Sequence, residues 1–180
     1  MIRLFAAIAL PEGIGAELAR RQQGLPGARW RPLEALHITL RFFGEMDEAR
    51  ADDLDAELGA IVLPSVTVVL EGVGSFQDGD DIRAVWAGVA ENDGLRRLAA
   101  RCETAARRAG LAPDRRAWRP HVTLAYLKRA EPRRVAAWIQ SHNLLKSPPF
   151  VAGDFGLYSS RLGGDGASYT LERTYPLGQA

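Results

Sequence analysis

The chain alternates between two hydrophobic periods, a short one typical of strands and a longer one typical of helices. In the first half, Pro11 precedes one helical stretch and Asp47 precedes another, and both residue types are favoured where helices begin. The pattern therefore predicts two strand–helix units in succession. Their expected bounds are 2–10 and 12–23 for the first unit, and 37–43 and 47–58 for the second.

The second half repeats this order after a pair of strands. A β-branched run and a second, apolar run predict antiparallel strands on either side of a loop rich in glycine and aspartate, and Asn92 or Asp93 is expected to cap the next helix. The expected bounds are 66–70 and 83–89 for these strands, 72–81 for the loop, 93–110 for the helix, 119–127 for a strand, 132–141 for a helix, and 150–159 and 169–175 for two strands around a turn at 163–166. Strands separated by single helices and joined by hairpins predict an α+β fold of mainly antiparallel sheet.

One short motif occurs twice in the chain. Trp30-Arg31-Pro32 precedes His37-Ile38-Thr39-Leu40, and Trp118-Arg119-Pro120 precedes His121-Val122-Thr123-Leu124. The two histidines are 84 residues apart, close to half of the 180-residue chain. Such a match predicts one domain over residues 1–180, built from two pseudo-symmetric lobes of sheet with flanking helices.

Strand geometry predicts that each copy of the motif presents its polar side chains together. Successive side chains on a strand point to opposite faces, so His37 and Thr39 share one face, and so do His121 and Thr123. The aliphatic residues between them can anchor each strand in the core. If the lobes pack with these faces opposed, two imidazoles and two hydroxyls converge on one cleft.

This set of groups suits the hydrolysis of a cyclic phosphodiester. A neutral imidazole can accept a proton from water while a protonated one donates to the departing ribose oxygen, because histidine titrates near neutral pH. The threonine hydroxyls can donate hydrogen bonds to the non-bridging phosphate oxygens. We therefore expect His37, Thr39, His121 and Thr123 to be catalytic, with no metal and no cofactor.

Other interpretations of these histidines are weaker. A single His-x-Thr strand more often carries a half-buried structural histidine, and it is the duplication that favours catalysis. A catalytic zinc site usually needs a third protein ligand, which neither motif has nearby, and a serine hydrolase would need a Gly-x-Ser-x-Gly elbow. The third histidine, His142, is expected on the surface at a helix end.

Composition limits the setting in which the protein works. With 23 basic and 22 acidic residues, the chain lacks the strong positive field of a non-specific duplex binder. The basic residues around the second motif are interpreted as solvated surface, with a phosphate-attracting rim as the alternative. The single cysteine, Cys102, is expected in the core, and no apolar stretch approaches the roughly 20 residues of a membrane span. A cytoplasmic protein without a membrane partner is expected.

The sequence resembles the two-histidine phosphoesterases, specifically the RNA 2',3'-cyclic phosphodiesterase branch, also called LigT-like or 2'-5' RNA ligase. The resemblance covers almost the whole chain. Besides the two motifs, it is carried by the runs 3–7, 41–45, 85–89, 119–125 and 159–162.

This resemblance implies a bilobal fold with a central cleft that opens the 2',3'-cyclic phosphate of an RNA end to a 2'-phosphate. His37 would be the general acid and His121 the base. Phe42 would either stack on the terminal base or serve as a core aromatic residue. Tyr126 is expected to bind substrate at a position where relatives often carry a basic residue, and this difference leaves the kind of contact to RNA open.

Two further residues are expected in the site. Arg41 and Arg119 have the strand parity of the histidines and could meet phosphate oxygens. The expected partners are RNA ends or oligonucleotides with a 2',3'-cyclic phosphate, bound by a monomer. The alternatives are a 2'-5' RNA ligase, a phosphodiesterase for small cyclic nucleotides, and a non-catalytic module that binds RNA ends.

Overall fold

In a computed structural model, which describes residues 1–163 and 166–178, the chain forms ten strands and four α-helices over those residues. The elements up to the middle of the chain are β1 (Ile2–Ala9), α1 (Glu12–Ala19), β2 (Arg29–Trp30), β3 (His37–Met46), α2 (Glu48–Gly59), β4 (Val66–Val68), β5 (Leu70–Asp78) and β6 (Asp81–Val89). The remaining elements are α3 (Asp93–Arg108), β7 (His121–Tyr126), α4 (Pro132–His142), β8 (Phe150–Ala152), β9 (Asp154–Gly163) and β10 (Gly166–Pro176).

Two four-stranded sheets form the two lobes. One has the order β10-β9-β1-β3 and the other the order β2-β7-β6-β5, and a two-stranded sheet pairs β4 with β8. Every strand pair in these sheets is antiparallel. The expected α+β fold with two lobes of antiparallel sheet is therefore confirmed.

Both lobes contain strands from both halves of the chain. The late strands β9 and β10 extend the sheet of β1 and β3, while the early strand β2 pairs with β7. The Gln22 side chain strengthens this exchange, because its amide nitrogen donates to the carbonyls of Arg31 at 2.8 Å and Leu124 at 3.1 Å. The exchange ties the lobes together and brings β3 and β7 into contact.

The aliphatic residues of both motifs lie in the core, as expected. Ile38 and Leu40 are buried on β3, and Val122 and Leu124 are buried on β7. Cys102 is also buried, and burial raises the pKa of its thiol to about 12, as predicted for a core residue rather than a nucleophile.

The predicted helix caps are confirmed and one helix end is corrected. The side chain of Asp47 accepts a hydrogen bond from the Arg50 amide at the start of α2, and Asn92 accepts one from the Leu95 amide at the start of α3, both at 2.9 Å. Helix α1 ends at Ala19 rather than near residue 23. The chain continues in a turn, because the amides of Arg21 and Gln22 donate to carbonyls three residues earlier, those of Leu18 and Ala19, rather than four residues earlier.

The expected loop at 72–81 is wrong, because most of it is strand β5. Glycine here serves close packing: a Cβ atom on Gly74 would lie 2.4 Å from the Trp86 ring on the neighbouring strand. The run expected at 66–70 is accordingly split, since β4 pairs with β8 and only Leu70 pairs with the end of β6. Strand β3 also continues through Gly44 to Met46.

The strand expected at 150–159 is also split, since β8 pairs with β4 and β9 begins only at Asp154 and pairs with β1 and β10. The remaining predicted elements are close to the observed ones. Helix α4 begins at Pro132 as expected, and the closing strands form the hairpin β9–β10. The turn expected at 163–166 includes residues 164 and 165, which lie outside the described part of the chain. None of the helices in the described part is long and apolar enough to cross a membrane.

Candidate active site

Both copies of the motif line one cleft of about 1130 Å³ between the lobes. His37 and Thr39 reach it from β3, and His121 and Thr123 reach it from β7. The four side chains expected to converge are thus brought together. They lie at facing edges of the two sheets, since β3 is an edge strand and β7 is covered only by the two-residue strand β2.

His37 lies in an aromatic environment. Its ring is 5.0 Å from that of Phe5 and 5.2 Å from that of Tyr169, measured between centroids, and it is stacked with Tyr158 at 6.5 Å. Burial lowers the pKa of His37 to about 4, although a hydrogen bond with the Ala35 backbone acts in the opposite direction. The charges of Arg31 and His121 lower this pKa further. His37 is therefore neutral at pH 7 in the protein without substrate.

His121 has a similar setting on the other lobe. Its Nδ1 lies 2.7 Å from the Arg119 carbonyl oxygen, and its ring meets Phe76 edge-on at 4.7 Å. Burial lowers the pKa of His121, and the bond to the Arg119 carbonyl opposes this shift. Because a carbonyl oxygen only accepts, Nδ1 carries the proton, which leaves Nε2 as the nitrogen available to a ligand.

The two histidines are held by the same backbone relationship. In each case the imidazole interacts with the carbonyl two residues earlier in the chain, that of Ala35 for His37 and that of Arg119 for His121. The pseudo-symmetry predicted from sequence thus extends to the position of the backbone group beside each ring, and at His121 this contact is a hydrogen bond of 2.7 Å.

Each motif strand also contains a β-bulge directly after its threonine. On β3, Thr39 pairs with Ala7 and Arg41 with Ala6, so the register skips Leu40. On β7, Thr123 pairs with Trp86 and Ala125 with Val85, so the register skips Leu124. An extra residue reverses the alternation of the side chains that follow it.

The bulges place Phe42 and Tyr126, each five residues after its histidine, on the cleft side of their strands. Phe42 stacks on Phe5 with 5.3 Å between ring centroids, and the guanidinium of Arg3 lies 5.2 Å from the centre of its ring. Tyr126 is 45% exposed, and the guanidinium of Arg31 lies 5.5 Å from its ring centre. Both aromatic residues expected to contact substrate therefore line the cleft.

The two arginines expected to meet phosphate have different settings. The guanidinium of Arg41 is held by an ion pair with Glu103 at 2.5 Å and a longer one with Asp114 at 3.7 Å. Arg41 lines the cleft, as expected. Because the bulge changes the parity of β3 after Leu40, however, Arg41 does not share the orientation of His37 that simple alternation predicts. Arg119 is exposed at the cleft, directly before Pro120.

The repeated Trp-Arg-Pro run does not give equivalent positions. Trp30 lies on β2 beside Ala125 and its ring contacts that of Trp138 at 6.1 Å. Trp118 lies in a loop, and its indole nitrogen donates to the Thr39 carbonyl at 3.1 Å. This second contact fixes the loop before His121 against the strand of the other motif.

The third histidine is less exposed than expected. His142 is half-buried, stacks on the Trp138 ring at 4.7 Å, and has its Nδ1 2.8 Å from the Trp138 carbonyl oxygen. It lies at the end of α4 and does not line the cleft.

Sequence reasoning missed several residues that shape the cleft. Tyr169 and Phe76 line it, Phe5 and Trp86 pack beside the histidines, and Arg31 was noted only as part of a repeat. Phe5 and Trp86 lie on strands that pair with the motif strands, while Tyr169 and Phe76 lie on strands one or two positions further along the same sheets. This order of strands within each sheet is the information the sequence pattern lacked. Among the described residues no three His, Cys, Asp or Glu side chains cluster as a metal site would require, and metal independence stays a prediction.

Comparison with known proteins points to one group of enzymes. Residues 10–164 match the model of the 2'-5' RNA ligase superfamily. An RNA 2',3'-cyclic phosphodiesterase of Archaeoglobus fulgidus is 29% identical over 97% of this chain and 99% of its own length. The enzyme of the same name from Aeropyrum pernix is 39% identical over 98 residues, which are 54% of this chain and 56% of that relative. The crystal structure of E. coli LigT complexed with 3'-AMP superposes with a TM-score of 0.79 at 27% identity, covering 99% of both chains.

Proposed function

Because the chain belongs to the 2'-5' RNA ligase superfamily, we propose that it hydrolyses the 2',3'-cyclic phosphate at an RNA end to a 2'-phosphate. The observation that carries this proposal is the convergence of both His-x-Thr motifs on one cleft. The names of the relatives support the same substrate.

In the proposed mechanism, His121 acts as the base and His37 as the acid. Nε2 of His121 accepts a proton from water as the water oxygen attacks phosphorus. The bond from phosphorus to the ribose 3' oxygen breaks, and His37 donates a proton to that oxygen. The Thr39 and Thr123 hydroxyls donate hydrogen bonds to the two non-bridging oxygens, whose charge grows toward the transition state.

The low pKa of His37 places a condition on this assignment. An acid must be protonated before the bond to the leaving group breaks, whereas burial keeps His37 neutral at pH 7 in the protein without substrate. A bound phosphate favours the imidazolium form, because an adjacent anion raises the pKa of a histidine. In this mechanism His37 takes up its proton together with the substrate.

The other expected contacts complete the proposed substrate site. Phe42 and Tyr126 offer aromatic surfaces for nucleobases, since stacking tolerates any base. Arg119 is exposed at the cleft and could reach a phosphate oxygen, while Arg41 is better described as a residue that positions the cleft wall. We infer further that the protein acts as a cytoplasmic monomer on RNA ends.

The proposal is tested by the product formed from an RNA with a terminal 2',3'-cyclic phosphate, with EDTA present. A 2'-phosphate end is expected. Loss of turnover with EDTA that is restored by a divalent cation would contradict metal independence. Tight binding of the RNA without turnover would identify a non-catalytic module instead.

The superfamily description also favours a second candidate, the joining of RNA ends through a 2'-5' linkage. Ligation would use the same residues, with a 5'-hydroxyl in place of water. Incubation with a second RNA that carries a 5'-hydroxyl would yield a longer product in that case. Under the main proposal, hydrolysis exceeds joining at every RNA concentration tested.

A further inference from the structure

Arg31 is a buried cation at the cleft. It is 8% exposed, and its guanidinium lies over two tyrosine rings, 5.5 Å from the centre of Tyr126 and 5.4 Å from that of Tyr169. Within the described part of the chain, the guanidinium makes one hydrogen bond, from Nη2 to the Ala167 carbonyl at 3.3 Å. No carboxylate lies within 4.0 Å of it among the residues that the structure describes.

This setting separates Arg31 from other arginines of the cleft wall. Three of these have carboxylate partners: Arg41 with Glu103 and Asp114, Arg96 with Glu91 and Asp93, and Arg116 with Asp114. Burying a charge without a partner is costly, so a buried cation at a cleft that has no carboxylate partner among the described residues is suited to bind an anionic ligand.

We propose that Arg31 is the residue that binds the phosphate held between His37 and His121. The inference rests on the proposed function, which identifies the anion as the substrate phosphate. What it adds is the residue that binds this phosphate. A guanidinium has five N–H donors in its plane, and stacking on the tyrosine rings uses its faces. The donors at its edge remain able to hold two phosphate oxygens at once.

The tyrosines fix this guanidinium from both lobes. Tyr126 belongs to β7 and Tyr169 to β10, which lie in different sheets, while Arg31 follows β2 in the chain. A residue held in this way loses little conformational entropy when it binds an anion. The arrangement therefore favours a preorganised phosphate site over a flexible surface cation.

Arg31 also links anion binding to the protonation of His37. Its positive charge is one of the causes that lower the pKa of His37. A phosphate bound by Arg31 neutralises that charge and adds a negative one, and both changes favour the imidazolium. The acid would thus become charged only when the substrate is in place.

The inference is tested by titrating inorganic phosphate into the full chain at pH 7 by calorimetry. Arg31→Met should weaken binding about 10- to 100-fold, the loss expected for a charge-assisted bond. Arg31→Lys keeps the positive charge but lacks the paired N–H donors of a guanidinium. Its affinity for phosphate should lie between those of Arg31→Met and wild type. The matched control is Arg96→Met, because Arg96 lines the same cleft but is neutralised by carboxylates, and its affinity should stay within about two-fold of wild type.

Unchanged phosphate affinity in folded Arg31→Met would overturn the inference. If that variant does not fold, the NMR signal of the Arg31 Nε–H group in the wild-type protein provides the test. This signal should shift when phosphate is added. A signal that does not shift while phosphate binds would contradict the assignment. Turnover is scored separately. Phosphate binding that depends on Arg31 in a protein that opens no cyclic phosphate would refute the proposed function and leave this site intact.

Discussion

Leu40 and Leu124 occupy the same place in the two halves of the molecule, since each is the residue that its strand's pairing skips directly after the motif threonine. The consequence is the same in both lobes. The side chain two residues further on, Phe42 or Tyr126, is turned to the cleft. The shared bulge makes the site pseudo-symmetric beyond its four polar groups.

Removal of either motif histidine should abolish most of the activity. His37→Ala and His121→Ala are each expected to lower kcat/KM by about 10²- to 10⁴-fold, the usual contribution of a general acid or base. His142→Ala is the control, because His142 does not line the cleft, and it should retain wild-type turnover of a cyclic phosphate. A motif-histidine variant with near wild-type kcat would contradict its catalytic role.

The threonine hydroxyls should matter less than the imidazoles. Thr39→Val and Thr123→Val keep the shape and remove one donor to a charged oxygen, which predicts a loss of about 10- to 100-fold in kcat. KM should change little, since the bond strengthens in the transition state. A rise in KM with unchanged kcat would instead indicate ordinary substrate binding.

The alternation of the two motifs predicted the four convergent side chains, because the parity of His37 and Thr39 precedes the bulge and does not depend on it. The prediction for Arg41 depended on parity beyond Leu40, where the bulge reverses it, and this side chain ion-pairs with Glu103. A bulge arises from the pairing of distant strands, so no local pattern indicates it.

The prediction for Gly74 was wrong for the same reason, a contact with another strand that no local pattern indicates. Its sequence surroundings are typical of a loop, but the residue lies in a strand because the Trp86 ring of the next strand covers it. The helix caps at Asp47 and Asn92, by contrast, were predictable because each side chain bonds to an amide only three residues away.

Binding of phosphate should raise the pKa of His37. In the free protein this pKa is about 4, and an anion beside the ring stabilises its charged form. Titration of the imidazole by NMR, with and without saturating phosphate, measures the change. If the pKa stays near its free value while phosphate is bound, His37 cannot serve as the acid, and the two histidines would have to exchange roles.

Stability should fall in mild acid because of His37. Its pKa is about 4 in the folded protein, below the ordinary value of 6.5, so between these pH values the unfolded chain binds more protons than the folded one. The free energy of unfolding therefore decreases as the pH falls from 6.5 to 4, by at most about 3 kcal/mol from this group. Urea unfolding at pH 7 and pH 4.5 measures it.

The control for this effect compares how much the free energy of unfolding decreases with pH in two histidine variants. His37→Gln should lose part of the decrease between pH 7 and 4.5, whereas His142→Gln should keep the wild-type decrease. If the free energy of unfolding depends on pH in the same way for wild type and His37→Gln, the pKa of His37 is not lowered in the folded protein.

A methyl group at Gly74 should disturb the second lobe and the site. Gly74→Ala forces the Trp86 ring to move, which predicts a destabilisation of about 1–3 kcal/mol. Since the Trp86 ring is 6.3 Å from that of His121, kcat should fall as well. Gly153→Ala is the matched control, because nothing lies within 4 Å of its Cβ position. Equal thermal midpoints for the two variants would contradict the packing argument.

The central claim is that both imidazoles act on one phosphorus atom. A crystal structure with a vanadate complex of a nucleoside, which mimics the transition state at phosphorus, tests it most directly. The account predicts oxygens on opposite sides of the vanadium, one within about 3 Å of Nε2 of His37 and the other equally close to Nε2 of His121. Vanadate bound in the cleft but in contact with only one of the two imidazoles would contradict it.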